Sequence, residues 1–191
     1  KLIMYPFVKI YRNQIEKKIY NSKNPKYIFT NIYNYNWWGS HESRSGVGST
    51  IKNTIYIRKG LIKILEKYKI RNVFDAPCGD MNWIYGAFKN RKINYEGWDI
   101  VDDLIIRNQK IIKKKNYNFK SKDITSNKFP KADLMICRDC FIHFSYKDIC
   151  RTLENFVLSD IKYLLLSNYE NNLDFDNKDI LTGESRIFDL F

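Results

Sequence analysis

Glycine and proline are scarce in this chain of 191 residues, at eight and four. Such scarcity excludes collagen-like repeats and Gly/Pro-rich low-complexity classes. No apolar run approaches the ~18 residues that a membrane-spanning helix needs. The longest, around Tyr163–Leu166, is strand-sized. The opening Lys1–Val8 has too short an apolar stretch and no cleavage site, so no secretory leader is expected. Histidine numbers two and cysteine four. The thiols of Cys78, Cys137, Cys140 and Cys150 are too few for a disulfide framework in a chain this long. Cys137-x-x-Cys140 has the spacing of a redox or zinc pair. Zinc needs two further ligands, and only Cys150, His41 and His143 are at hand. No metal and no bridge is expected, and reduced thiols point to a cytoplasmic protein.

What is present suits one globular domain. A hydrophobic share of 44% with 28% charged residues excludes wholesale disorder. Net charge is +12, with 14 tyrosines. Two readings stand: a polyanionic partner such as RNA or a phosphorylated substrate, or a Lys-, Asn- and Ile-rich bias that puts lysine wherever the surface allows. The densest basic run, Lys113–Lys115, falls at an expected helix end, where cations suit the helix dipole.

Residues 1–36 are apolar-aromatic and Asn-rich, with a helix expected over Phe7–Tyr20. Residues 37–50 are dense in Gly and Ser and read as a loop. A helix is expected over 51–69, with Ser49 or Thr50 as N-cap. Strands are then expected at 72–76, 94–99, 118–124, 132–137 and 162–167, alternating with helices at 82–89, 102–115 and 146–157. That alternation means crossover units and a mostly parallel α/β sheet with helices on both faces. The tail from Glu170 is Asn/Asp-rich, and 180–191 reads as strand-like. The division expected is an N-terminal extension with a covering loop over 1–50 and a main domain over 51–191, whose sheet is expected to need further chain.

Open parallel sheets bind ligands beyond the carboxyl ends of their strands. The first expected strand ends in Asp75-Ala-Pro-Cys-Gly-Asp80, with one glycine where a dinucleotide fingerprint has three. An acid followed by a tight turn suits a ligand with a cationic end. Asp99, at the end of the second strand, is placed to accept from both hydroxyls of a ribose. Asp123 can accept from an adenine amino group, with Ile124 over a ring face; Thr125 and Ser126 also make Asp123 a candidate turn cap. Ser45, Gly46, Gly48, Ser49 and Thr50 lead into a helix N-terminus whose free amides suit an anion, and Arg44 and Arg58 would add charge-assisted bonds.

Taken in order, Asp75–Asp80, Gly97-Trp-Asp99, Lys122-Asp-Ile124 and Ala132–Asp139 resemble the motif series of class I S-adenosylmethionine-dependent methyltransferases. The likeness spans residues 49 to 169. It departs from the family where Pro77 and Cys78 replace the usual glycines. The segment Trp38–Thr50 is similar to a bacterial branch associated with cell-surface polysaccharide genes, including capsular sugar and phosphoramidate decoration. The resemblance implies a Rossmann-like, doubly wound fold with an N-terminal helical extension. It implies S-adenosylmethionine as cofactor. Asp75, Ala76, Pro77, Cys78 and Gly79 would meet its methionine part, Asp99 the ribose, and Ile100, Asp123 and Ile124 the adenine. Arg138 would sit beside the methyl group. Ser49, Thr50 and Arg58 are further cofactor candidates, and Arg44, Trp38 and Tyr169 are expected to bind the acceptor.

Methyl transfer is an in-line displacement, so the protein must align donor and acceptor and remove a proton. His143 titrates near neutrality and suits an alcohol acceptor if Asp139 orients it. A pre-ionised phosphoryl oxygen would need no base, and arginines would then dominate alignment. The expected function is therefore methyl transfer to an oxygen of a small anionic or sugar acceptor. One alternative is an RNA methyltransferase, favoured by charge and tyrosines and marked by a basic stripe beside the cleft. The other is a non-catalytic cofactor-binding protein, disfavoured because Asp75, Asp99 and Asp123 are all present.

Overall fold

The computed structural model describes residues 4–170 and 174–191. Lys1–Ile3 of the opening stretch and Asn171–Leu173 of the Asn/Asp-rich tail lie outside the described residues. Two helices open the chain, α1 (Met4–Ile19) and α2 (Pro25–Asn34). The second is not among the expected elements, yet its start is written locally. Asn24 Oδ1 accepts from the amides of Lys26 and Tyr27, and Pro25 occupies the first turn, where its missing N–H costs nothing. Helix α3 (Ile55–Lys67) starts later than expected. Neither Ser49 nor Thr50 caps it, because Val47–Ser49 forms a separate 3-10 turn and Thr54 bonds back to Thr50.

The remaining order is β1 (Asn72–Asp75), α4 (Tyr85–Phe88), β2 (Asn94–Asp99), α5 (Asp102–Ile111), β3 (Tyr117–Ser121), β4 (Leu134–Cys137), α6 (Tyr146–Val157) and β5 (Tyr163–Leu166). Helix α5 stops at an extended Ile112, so Lys113–Lys115 lie in the loop before β3 and not on a helix end. Asp123 and Ile124 lie in the turn after β3, not within it. Residues 180–191 form no strand. The Gly183 and Arg186 amides donate to the carbonyls of His143 and Ile142, in a loop rather than along a neighbouring strand.

The five strands are all parallel, in the order β3-β2-β1-β4-β5. Strand side chains alternate between faces, and the core divides accordingly. Val73, Tyr95, Leu134 and Ile136 join Leu61, Leu65, Leu104 and Ile105 on the α3/α5 face. Phe74, Trp98, Met135 and Cys137 join Ile149 of α6 and Phe129 on the other. A third cluster, Ile19, Ile28 and Ile32, holds the N-terminal helices together, and Phe29 packs against all three clusters. The chain leaves β3 and returns to the far side of β1. This reversal between β1 and β4 opens a crevice at their carboxyl ends.

Phe74 is fully buried, with its ring 4.9 Å from Trp98 and 5.1 Å from Phe129. Phe74→Ala is expected to lower unfolding free energy by about 3–5 kcal/mol, measured by urea denaturation. A loss below about 1 kcal/mol would refute its place at the centre of that layer.

Candidate active site

A cleft of ≈ 370 Å³ occupies that crevice, within the range of small-ligand sites. Its floor is acidic. Asp75 ends β1 and is buried; the Tyr95 hydroxyl donates to its Oδ2 at 2.6 Å. Burial pushes its carboxyl up to about 7, while Tyr95 and Arg138 pull it down. Asp99 ends β2. Its Oδ2 accepts from the Gly79 amide and its Oδ1 from the Val101 amide, each at 3.1 Å. Burial pushes it up to about 6 against those bonds. Each carboxylate oxygen keeps a further lone pair, so Asp99 can still accept from a pair of hydroxyls. Ile100 and Ile124 supply apolar wall, and Asp123 and Lys122 stand beside them. Oδ1 of Asp123 is taken up by the amide and hydroxyl of Thr125, both at 2.8 Å, so the turn-cap role is real.

The turn between β1 and α4 brings Pro77, Cys78 and Gly79 to the cleft. Ala76 is fully buried and packs into the α6-side core, leaving the cleft to its neighbours. Gly79 has φ +54, and a Cβ there would lie 2.3 Å from Ser45 Oγ. Asp80 was not among the expected site residues, although it closes the first motif. Its carboxylate accepts from the Ser43 and Ser45 hydroxyls and from the Arg44 amide. Asp80 thereby fixes residues 43–45 over the cleft.

Several candidates are placed differently from expectation. The Arg44 guanidinium borders the cleft but donates to Tyr33 O and Asn34 O at the end of α2. Arg58 lies outside the cleft lining and donates to Ile51 O. The Thr50 hydroxyl folds back on Val47 O, outside the lining. Ser49 does line the cleft, and its hydroxyl accepts from Arg138. The anion cradle expected from Ser45–Thr50 is therefore not a helix N-terminus.

Arg138 is pinned from three sides. It pairs with Asp139 at 2.7 Å, donates to Gly48 O at 2.9 Å, and lies over the Trp83 ring. Asp139, at φ +50, is held by its amide and carboxylate to the Ser167 hydroxyl. It therefore does not orient His143. His143 Nδ1 instead faces Glu184 O and Ser185 Oγ, each at 2.9 Å, and its ring stacks on Trp38 at 5.0 Å. Burial lowers its pKa below the ordinary value, which favours the neutral ring. Tyr169, Asp148 and Thr182 complete that wall, the last two unforeseen. All four cysteines are free. Among the described residues no group of three or more His, Cys, Asp or Glu side chains is arranged to hold a metal ion, and no helix is long and apolar enough to cross a membrane.

No family model matches the chain, and a search of curated proteins finds no match. Solved structures do match. Magnesium protoporphyrin IX methyltransferase from Synechocystis PCC 6803, with bound S-adenosylmethionine, is 16% identical, with a TM-score of 0.55 over 78% of each chain. The methyltransferase domain of bacterial CtHen1-C is 14% identical, with a TM-score of 0.53 over 63% of this chain and 69% of that one. The PH0226 protein from Pyrococcus horikoshii OT3 is 21% identical, with a TM-score of 0.50 over 63% of each. Identities this low speak for fold: the chain has the class I, Rossmann-like methyltransferase fold.

The two acids set a pH dependence. Unfolded, both titrate near 4; folded, at about 7 and about 6. Between those values the folded chain holds more protons than the unfolded one, so their contribution is full below about 4 and is lost as pH rises to about 7. His143, with its lowered pKa, acts in the opposite sense. Asp75→Asn is expected to make stability depend less steeply on pH between 5 and 8, read by urea denaturation across that range. An unchanged slope would refute the assignment.

Proposed function

We propose that this chain is an S-adenosylmethionine-dependent methyltransferase acting on a neutral hydroxyl, such as that of a sugar. The observation that carries the reading is the buried pair Asp75 and Asp99 at the carboxyl ends of β1 and β2, facing one cleft with His143. The residues suit the cofactor. Two buried carboxyls favour a ligand that brings positive charge and hydroxyl donors. Ile100 and Ile124 offer apolar faces to a flat ring. Bound there, S-adenosylmethionine supplies an electrophilic methyl group. Asp99 would hold the ribose hydroxyls, Asp75 and the Cys78–Gly79 turn the methionine end, and Asp123 with Ile124 the adenine.

The neutral acceptor follows from where the arginines of the cleft are spent. Arg44 serves the carbonyls ending α2, and Arg138 is paired with Asp139. Asp148 adds a carboxylate to the acceptor wall. This arrangement favours a neutral hydroxyl over a phosphoryl oxygen, and a neutral hydroxyl needs a base. A neutral His143 with its hydrogen on Nδ1 would have Nε2 to take that proton. Trp38 and Tyr169 would flank the acceptor. The link to cell-surface polysaccharide rests on the Trp38–Thr50 segment alone. Four free thiols suit a reducing, cytoplasmic setting.

The RNA alternative gains little. A basic groove exists, formed by Arg71, Arg91, Lys92, Lys114 and Lys115. It lies where the chain enters β1, β2 and β3, at the amino ends of the strands and away from the cleft.

Two outcomes test the reading. Asp99→Ala is expected to weaken S-adenosylmethionine binding about 10–100-fold, at roughly 1.5–3 kcal/mol for a hydrogen bond to a charged group, measured by titration calorimetry. Unchanged affinity would sink the cofactor placement. Wild-type affinity is expected to rise from pH 5.5 to pH 7.5, because the ligand binds the ionised acids and both are partly protonated when empty. For the acceptor, methyl transfer to nucleotide sugars, phosphorylated small molecules and RNA is assayed side by side. Transfer to a sugar hydroxyl that falls at least 100-fold in His143→Ala, with donor affinity kept, supports the reading. Transfer to a phosphoryl oxygen refutes it.

A further inference from the structure

The segment from Asp179 to Phe188 contains no helix or strand, yet it is tied along its length to the 3-10 turn Phe141–His143 and the residues that follow it. Asp179 Oδ1 accepts from the Tyr146 amide at 2.8 Å. The Thr182 hydroxyl accepts from the Ser145 amide at 2.9 Å and donates to Asp148 Oδ2 at 2.6 Å. The Gly183 amide donates to His143 O at 2.8 Å, and the Arg186 amide to Ile142 O at 3.0 Å. From the other side the Tyr20 hydroxyl donates to Gly183 O at 3.0 Å. Gly183 has φ +105, and a Cβ there would stand 2.4 Å from Ile28 Cγ2. The segment is thus threaded between the N-terminal helices and residues 142–146, at a point where only glycine fits.

The threading brings two oxygens to one ring nitrogen. Glu184 O and Ser185 Oγ both lie 2.9 Å from His143 Nδ1. A carbonyl oxygen only accepts, so Nδ1 carries the hydrogen, and in the neutral ring Nε2 holds the lone pair. The Trp38 stack fixes the ring plane. Asp139, the carboxylate that sequence spacing offers for this task, is occupied by Arg138 and Ser167.

We propose that Thr182–Ser185 is a positioning strap that holds His143 as the Nδ1–H tautomer, leaving Nε2 as the proton acceptor. Its catalytic meaning rests on His143 acting as the base in the reading above. Several charged groups surround the ring. Asp139, after β4, favours the charged imidazole, while Arg186 of the tail disfavours it, as does burial. Asp148 of α6 is engaged with Thr182, and the Glu184 carboxylate accepts from the Leu181 amide. The Arg186 guanidinium is wedged between the Tyr146 and Phe188 rings at 5.1 and 4.7 Å, and among the described residues none of its nitrogens has a hydrogen-bond partner. A cation placed so near the imidazole helps to keep it neutral.

The chain has only two histidines, so nitrogen-15 NMR of histidine-labelled full-length protein reads the strap directly, with His41→Gln removing the other signal. In the parent protein His143 is expected to show a protonated Nδ1, an unprotonated Nε2 and titration below the ordinary histidine value. Gly183→Ala, which displaces the strap, is expected to give a mixture of tautomers and to raise that titration point. Should Gly183→Ala fail to fold, Thr182→Val, which removes the bond to Asp148, carries the same comparison. A hydrogen found on Nε2 in the parent overturns the proposal, as does a tautomer and titration curve unmoved in the folded strap variant. A locked tautomer together with undiminished turnover in His143→Ala upholds the strap and refutes the base.

Discussion

Two buried carboxyl groups that form no direct ion pair among the described residues sit at the carboxyl ends of neighbouring strands, and the rest of the cleft is arranged around them. A buried charge is costly unless donors surround it. Asp99 receives two backbone amides and Asp75 a tyrosine hydroxyl. These contacts dictate the local chain path. Gly79 must turn with positive φ to aim its amide at Asp99, and Asn108 of α5 donates to Gly79 O at 2.7 Å to hold that turn. The donors offset burial only in part, so both acids remain raised. In the reading proposed above, that condition suits a cationic, hydroxyl-bearing ligand.

The cations near this floor are structural partners as much as ligand groups. Arg138 spans from β4 to the 38–50 loop, joining Asp139, Gly48 and Ser49, while Asp80 ties down Ser43–Ser45. Gly48 sits close to the Arg138–Asp139 pair, and a Cβ there would stand 3.1 Å from Asp139 Oδ2, a tight contact. Loop and cleft floor are thereby one polar network, in which each member depends on several partners. With the guanidinium groups of Arg138 and Arg44 so engaged, the groups that line the cleft around His143 are aromatic rings and a carboxylate.

Much of the fold was legible in the sequence because it is written in short-range pattern. Alternating apolar runs with helical stripes between them identify the five strands and most helices, and burial on both faces makes each parallel strand a compact signal. Boundaries were less legible. Helix α5 ends at Ile111, four residues short, and α3 begins at Ile55, because backbone partners in the turns decide those ends. Helix α2 carried its signal in Asn24-Pro25, a cap and first-turn proline that the Asn-rich composition masked.

The sequence by itself determined the α/β class and the carboxylates at the strand ends, since both follow from local order: an acid closing an apolar run in a parallel sheet reaches the carboxyl edge. It could not determine which donor each polar side chain finds. Asp139 stands four residues before His143, yet its partners are Arg138 and Ser167, and the histidine is held from more than forty residues away, by Glu184 O and Ser185. Arg44 and Arg58 read as anion ligands and turn instead to backbone carbonyls. Hydrogen-bond partners are assigned by three-dimensional proximity and by competition among nearby donors and acceptors, and neither has a period along the chain. Only the tertiary structure decided how the His143 side of the cleft is built.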